Sequence, residues 1–112
     1  MDMRPKFYFF QGSTPTLEFI LPIELNVDGG DVVIVTLAQN HQTIKEYNQD
    51  DTAVTVEGGS VYVHMTQDDT LKFETGDVLA QLRYLLKDGT ADVSCPIHGY
   101  VEAPQKREVI RG

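Results

Sequence analysis

Hydrophobic and polar residues alternate along much of the chain, the period of a strand with one covered face. In residues 16–21, Leu17, Phe19 and Leu21 fall on one side and Glu18 on the other. Residues 53–57 and 60–65 alternate in the same way around Gly58-Gly59, a pair suited to a two-residue hairpin turn. Val61, Val63 and Met65 then face inward, with Tyr62 and His64 outward. Residues 32–39 (VVIVTLAQ) are almost continuously apolar, as in a strand covered on both sides. Further strands are expected over 6–11, 43–47, 78–86 and 91–101. Turn chemistry separates them at Gly12-Ser13-Thr14-Pro15, Asp28-Gly29-Gly30-Asp31, Asn40-His41-Gln42 and Lys87-Asp88-Gly89-Thr90. Pro22 ends the second strand or marks an edge, and Pro96 bends the last strand or puts it at an edge, because proline cannot donate to a ladder.

Residues 66–73 break the alternation. Thr66 with Asp69 three positions on reads as a capping box opening one helical turn, with Leu71 packing onto the core and Thr75-Gly76-Asp77 closing the segment. About eight short strands with turns every 8–12 residues predict an all-β sandwich or small barrel, mostly antiparallel.

A chain of 112 residues with 41% hydrophobic residues is sized for one core and needs no staple. We divide it into a β-sandwich domain, residues 1–103, and a short basic tail, residues 104–112. The net charge of −8 is uneven. Residues 1–102 carry six Lys/Arg against sixteen Asp/Glu, whereas the tail carries Lys106, Arg107 and Arg111 against Glu108. An acidic body is repelled by polyanions, so neither nucleic acid nor an anionic membrane surface is an expected partner. No run approaches the roughly 18 apolar residues of a spanning helix, and the opening residues lack the pattern of a signal peptide. The expected site of synthesis is therefore a reducing cytoplasm.

The residues that carry chemistry are scattered. Cys95 stands alone, so no intrachain disulfide or cysteine-built zinc site is available, and Pro96 separates it from His98. His41, His64 and His98 show no HxH or HxxxH spacing. Asp50-Asp51 and Asp68-Asp69 lack the alternate spacing around glycine of a calcium loop, and the glycine pairs precede no Gly-Lys-Ser/Thr. No catalytic residue, metal ligand or cofactor is expected, and the chain is read as a non-enzyme.

What remains is surface. Phe7 and Phe9 cannot share a strand face with Tyr8 and Phe10, so the run needs cover on both sides, by a second sheet and by a partner chain. Tyr62 and Tyr84 are candidate contacts on the outer faces, and Lys106, Arg107 and Arg111 in the tail would dock on an acidic neighbour. Exposed aromatics on one sheet could stack sugars, although the chain has no Trp, the usual prominent stacking residue, so a carbohydrate-binding or adhesive module is the alternative.

Four segments, in this order, carry a family resemblance: Gln11-Gly12-Ser13-Thr14-Pro15-Thr16-Leu17-Glu18-Phe19; the apolar strand 32–37; residues 59–70 (GSVYVHMTQDDT), a strand running into a helical turn; and residues 76–84 (GDVLAQLRY) followed by Lys87-Asp88-Gly89. Together they resemble the immunoglobulin-like domains of tailed-phage and prophage structural modules, in particular the amino-terminal domain of baseplate upper proteins. The resemblance covers residues 6–102. It implies an immunoglobulin-like antiparallel β-sandwich without catalytic residues, which assembles with other structural proteins of a phage particle or with itself. The implied location is the tail or baseplate of the virion. Baseplate upper proteins continue into long assembly regions, so this chain is expected to be a free-standing relative.

Overall fold

Nine strands and one helical turn form over residues 6–94 and 96–104, the part of the chain that the computed structural model describes. In chain order they are β1 (Phe7–Phe10), β2 (Thr16–Ile20), β3 (Val32–Gln39), β4 (Gln42–Asn48), β5 (Val54–Glu57), β6 (Ser60–His64), α1 (Gln67–Leu71), β7 (Gly76–Leu85), β8 (Ala91–Val93) and β9 (Ile97–Glu102). The larger sheet runs β1-β9-β7-β3-β4, with β8 also paired to β7, and the smaller runs β2-β6-β5. All ladders are antiparallel except β1 on β9, where Tyr8 stands opposite Tyr100 in a parallel pair. This is the strand order of an immunoglobulin-like β-sandwich.

One core joins the two sheets. Leu17 and Phe19 from β2, with Val61 and Val63 from β6, meet Val33, Val35 and Leu37 from β3 and Val78, Ala80 and Leu82 from β7. Each set is every second residue of its strand, which is why the alternation predicted the inner faces. In β3 the inward residues are fully buried but Val32, Ile34, Thr36 and Ala38 are only half-buried, so the far side of that apolar run is not covered as expected.

The strand expected over 91–101 is interrupted. Pro96 has no N–H for the ladder, so the pairing of β7 passes from β9 at Ala80 to β8 at Arg83. Ser94 fills the gap: its N–H donates to the Leu82 carbonyl at 2.8 Å and its Oγ accepts from the Leu82 N–H at 3.0 Å. The bend is as predicted, but β9 lies between β7 and β1 and is no edge.

Two turns are fixed by close contact. Gly58 takes φ 59° at the first position of the two-residue β5–β6 turn, and the chain after β2 folds over it. The Leu21 N–H donates to Gly59 O and the Leu25 N–H to Gly58 O, at 2.8 and 2.9 Å. A Cβ on Gly59 would lie 2.8 Å from the Ile23 carbonyl oxygen. The β3–β4 turn consists of Asn40 and His41, both with positive φ (51° and 65°), the geometry in which hairpins favour Asn-Gly.

The capping box at α1 is present in full. Thr66 Oγ1 accepts from the Asp69 N–H, and Asp69 Oδ2 accepts from the Thr66 N–H. Leu71, expected in the core, is only half-buried; Phe73, just past the helix, fills that place with its ring edge-on to Phe9 at 5.5 Å. The turn is then bound to the rest of the fold by polar side chains. Thr70 Oγ1 donates to Ser13 O and accepts from the Gly12 N–H. Gln11 Nε2 donates to Phe73 O. Gln39 donates to the carbonyls of Glu74 and Asp77 and accepts from the Glu74 N–H.

Candidate assembly surface

The outer face of the larger sheet is built from the residues that alternate with its core positions. In β7 these are Asp77, Leu79, Gln81, Arg83 and Leu85; in β9 His98, Tyr100 and Glu102; in β1 Tyr8 and Phe10; in β8 Val93. Partners in register point to the same side, so Tyr8, Tyr100 and Asp77 form one row across three strands. Val93, Arg83 and Ile34 form another, six residues further along β7. The described residues include seven large hydrophobics that stay exposed, and all but Ile20 lie on this one face. Tyr8 is 66% exposed. At one end Tyr8, Phe10 and Tyr100 form an aromatic corner; at the other, Val32, Ile34, Leu85 and Val93 surround a shallow concavity of about 510 Å³.

The face carries the carboxylates Asp77, Glu102 and Glu46 against one guanidinium, Arg83. Arg83 is exposed among the aliphatic residues and makes no ion pair with any described residue. Asp77 lies 2.8 Å from Nε2 of His98 through Oδ1, and its side chain is 77% exposed. The opposite sheet differs in character. Its outer face presents Thr16, Glu18, Thr55, Tyr62 and His64, with Thr16 Oγ1 3.0 Å from His64 Nδ1.

The tyrosines singled out from sequence divide. Tyr62 is on an outer face, half-buried between Glu18 and Thr55 of the neighbouring strands. Tyr84 is not a surface residue. It is 9% exposed and belongs to the core, because β7 keeps strict alternation and Val78, Ala80, Leu82 and Tyr84 all point inward. The two never meet on one surface. Lys106, Arg107 and Arg111 lie outside the described residues, as does Cys95. The residues missed were Leu79, Leu85 and Val93, whose signal was their parity opposite the inward set.

Other features are structural. The edge strands β1 and β2 flank an apolar slot of about 550 Å³ between the sheets, floored by Phe7, Leu17 and Ile97. The Phe7 ring fills the space beside Gly99, where any Cβ would collide with it. Among the described residues no cluster of three or more His, Cys, Asp or Glu side chains is arranged to hold a metal ion. Among the described residues no helix is long and apolar enough to cross a membrane. Lys45, Tyr47 and Asp69 form a cluster set into the body, with Lys45 Nζ 3.4 Å from Asp69 Oδ1 and 5.3 Å from the centre of the Tyr47 ring. Burial pushes the Tyr47 hydroxyl far above the ordinary phenol range, and the Asp69 charge adds to this, so it remains a donor.

An all-β, immunoglobulin-like sandwich is the class that these elements define. Among solved structures the chain is similar to CopC from Methylosinus trichosporium OB3b, at 8% identity over 92% of this chain and 89% of that one, with a TM-score of 0.59. Looser likenesses are to the Drosophila OTK extracellular domains 3–5 (14% identity, 91% of this chain and 33% of that one, TM-score 0.38) and to the V domain of amphioxus IgVJ-C2 (11% identity, 85% and 98%, TM-score 0.33). At such identities the likeness is one of fold. No protein-family model and no curated protein matches the chain.

Proposed function

We propose that this chain is an assembly module, an immunoglobulin-like structural component of a tailed-phage or prophage particle, located at the tail or baseplate and acting through protein–protein contact rather than turnover. The observation that supports this reading is the apolar outer face of the larger sheet. Six large hydrophobics left open on one side of a small domain form the kind of patch that marks an interaction site. The acidic body keeps such a domain soluble at high copy number until the patch is covered. The sequence resemblance over residues 6–102 supplies the setting.

The test is to purify particles from an induced host and look for the chain by mass spectrometry, together with co-purification against the products of neighbouring genes. Recovery in stoichiometric amount with tail or baseplate proteins is the expected result; absence from particles and from every such complex would sink the reading.

A second reading, an adhesive or carbohydrate-binding module, draws on the side-by-side placement of Tyr8 and Tyr100 on adjacent strands, since paired exposed rings suit sugar stacking. Glycan-array binding that is lost in Tyr8→Ala and Tyr100→Ala would favour it over assembly.

A further inference from the structure

We propose that the outer face of the larger sheet pairs with the same face of a second copy of this chain, about a two-fold axis that crosses β7 at the level of Ala80. The inference deepens the assembly reading and rests on it.

Asp77 and Arg83 point to the same outer side and lie three residues before and three after Ala80. At about 3.3 Å per residue they are roughly 20 Å apart, too far to pair within one chain. Two copies placed face to face, with the axis running across the strands at Ala80, bring Arg83 of each onto Asp77 of the other. Two ion pairs form at once, one on each side of the axis, as an isologous interface requires. Arg83 has no ion-pair partner among the described residues, and the side chain of Asp77 stays largely open despite its contact with His98.

The apolar residues obey the same operation. Tyr100 is opposite Asp77 in register, and Val93 is opposite Arg83. The axis that matches the charges therefore also lays the Tyr100 ring of each copy on Val93 of the other, with Tyr8 beside it, so the aromatic corner covers the aliphatic one. Leu79 and Gln81 flank the axis and meet at the centre. A two-fold axis running along β7 instead would set Arg83 against Arg83 and Asp77 against Asp77, so charge selects the first arrangement.

The size is adequate. The strands, about 4.8 Å apart at about 3.3 Å per residue, are 4 residues long in β1, 6 in β9, 3 in β8, 10 in β7, 8 in β3 and 7 in β4, and together present a face on the order of 600 Å² per copy, the lower end of the range for a specific interface. A standard specific interface covers about 800 Å² on each partner. Both copies are acidic, and the cross-paired Arg83 is what offsets their repulsion where they touch.

The test uses the full chain and two charge reversals, Arg83→Asp and Asp77→Arg, in sedimentation velocity from about 1 µM to about 1 mM, a range suited to an interface of this size. Both positions are exposed, and thermal unfolding checks that each variant is folded. The wild type is expected to show reversible dimers, and each variant alone a dissociation constant raised at least about tenfold, because like charges then face each other. An equimolar mixture of the two variants restores both ion pairs and should dimerise like the wild type. A wild type that is monomeric throughout the range overturns the proposal, as does a mixture no more associated than its components. Failure here is distinct from failure of the assembly reading: a chain that is monomeric when pure yet recovered in particles with other proteins refutes only the self-pairing.

Discussion

The Tyr47 hydroxyl donates to Oδ2 of Asp69 at 3.1 Å, tying β4 to the first turn of α1 through two residues separated by 22 positions. The same carboxylate accepts from the Thr66 N–H and faces Lys45. Burial opposes ionisation of Asp69, but the Thr66 amide, the Tyr47 hydroxyl and the Lys45 ammonium together outweigh it and hold its pKa below the ordinary aspartate value.

The direction of that shift determines a pH dependence. A group whose pKa is lower in the folded state contributes stability that is fully present above its unfolded pKa, near 3.9, and is lost as pH falls through the folded value. Thermal unfolding of the wild type should therefore drop on acidification below about pH 4, beyond the drop from the remaining carboxylates. In Asp69→Asn that component should vanish, leaving a flatter acid limb and a lower melting temperature at pH 7. Equal acid limbs in the two proteins would contradict the assignment.

Gln39 makes three hydrogen bonds to the backbone of residues 74–77. Gln39→Ala leaves the N–H and carbonyl of Glu74 without these partners, and a cost of about 2 kcal/mol is expected in urea unfolding. The Glu74 amide should lose hydrogen-exchange protection more than the β2–β6 amides do.

His41 occupies a left-handed conformation at φ 65° without being glycine. Replacing it relieves a cost of about 1 kcal/mol, partly offset by the greater freedom of glycine in the unfolded chain. His41→Gly should raise the melting temperature by a few degrees, whereas His41→Val should lower it.

Gly59 is not at positive φ, yet the Ile23 carbonyl approaches it too closely for a side chain. Gly59→Ala is expected to destabilise by about 1–3 kcal/mol, since the overlap is with backbone that cannot rotate away. Gly58→Ala acts differently, through strain at positive φ, and the two effects should add less than fully because both displace the same turn.

How far the fold was legible can be judged element by element. Strand β6 was readable because Val61, Val63 and Met65 form an unbroken alternation beside a glycine turn, and the capping box was readable because Thr66 and Asp69 interact within one turn. Local chemistry of this kind is written in adjacent residues. Leu71 was misplaced because an isolated helical turn does not say which side faces the core; the contact of Phe73 with Phe9, 64 positions away, decides that. The parallel pairing of β1 with β9 and the split at Pro96 likewise depend on partners remote in the chain.

The candidate surface shows the same division. From the sequence alone came the all-β class, the inner residues of most strands, the acidic body and the expectation that half of the run from Phe7 to Phe10 would need a partner. Which aromatics are open was a tertiary matter: Tyr84 reads like an exposed residue beside Arg83, but its parity with Val78 turns it into the core, while Tyr8 and Tyr100 meet only because β1 lies along β9. Alternation assigns residues to faces within one strand; which face is buried, and which residues become neighbours across strands, is settled by how the two sheets close on each other.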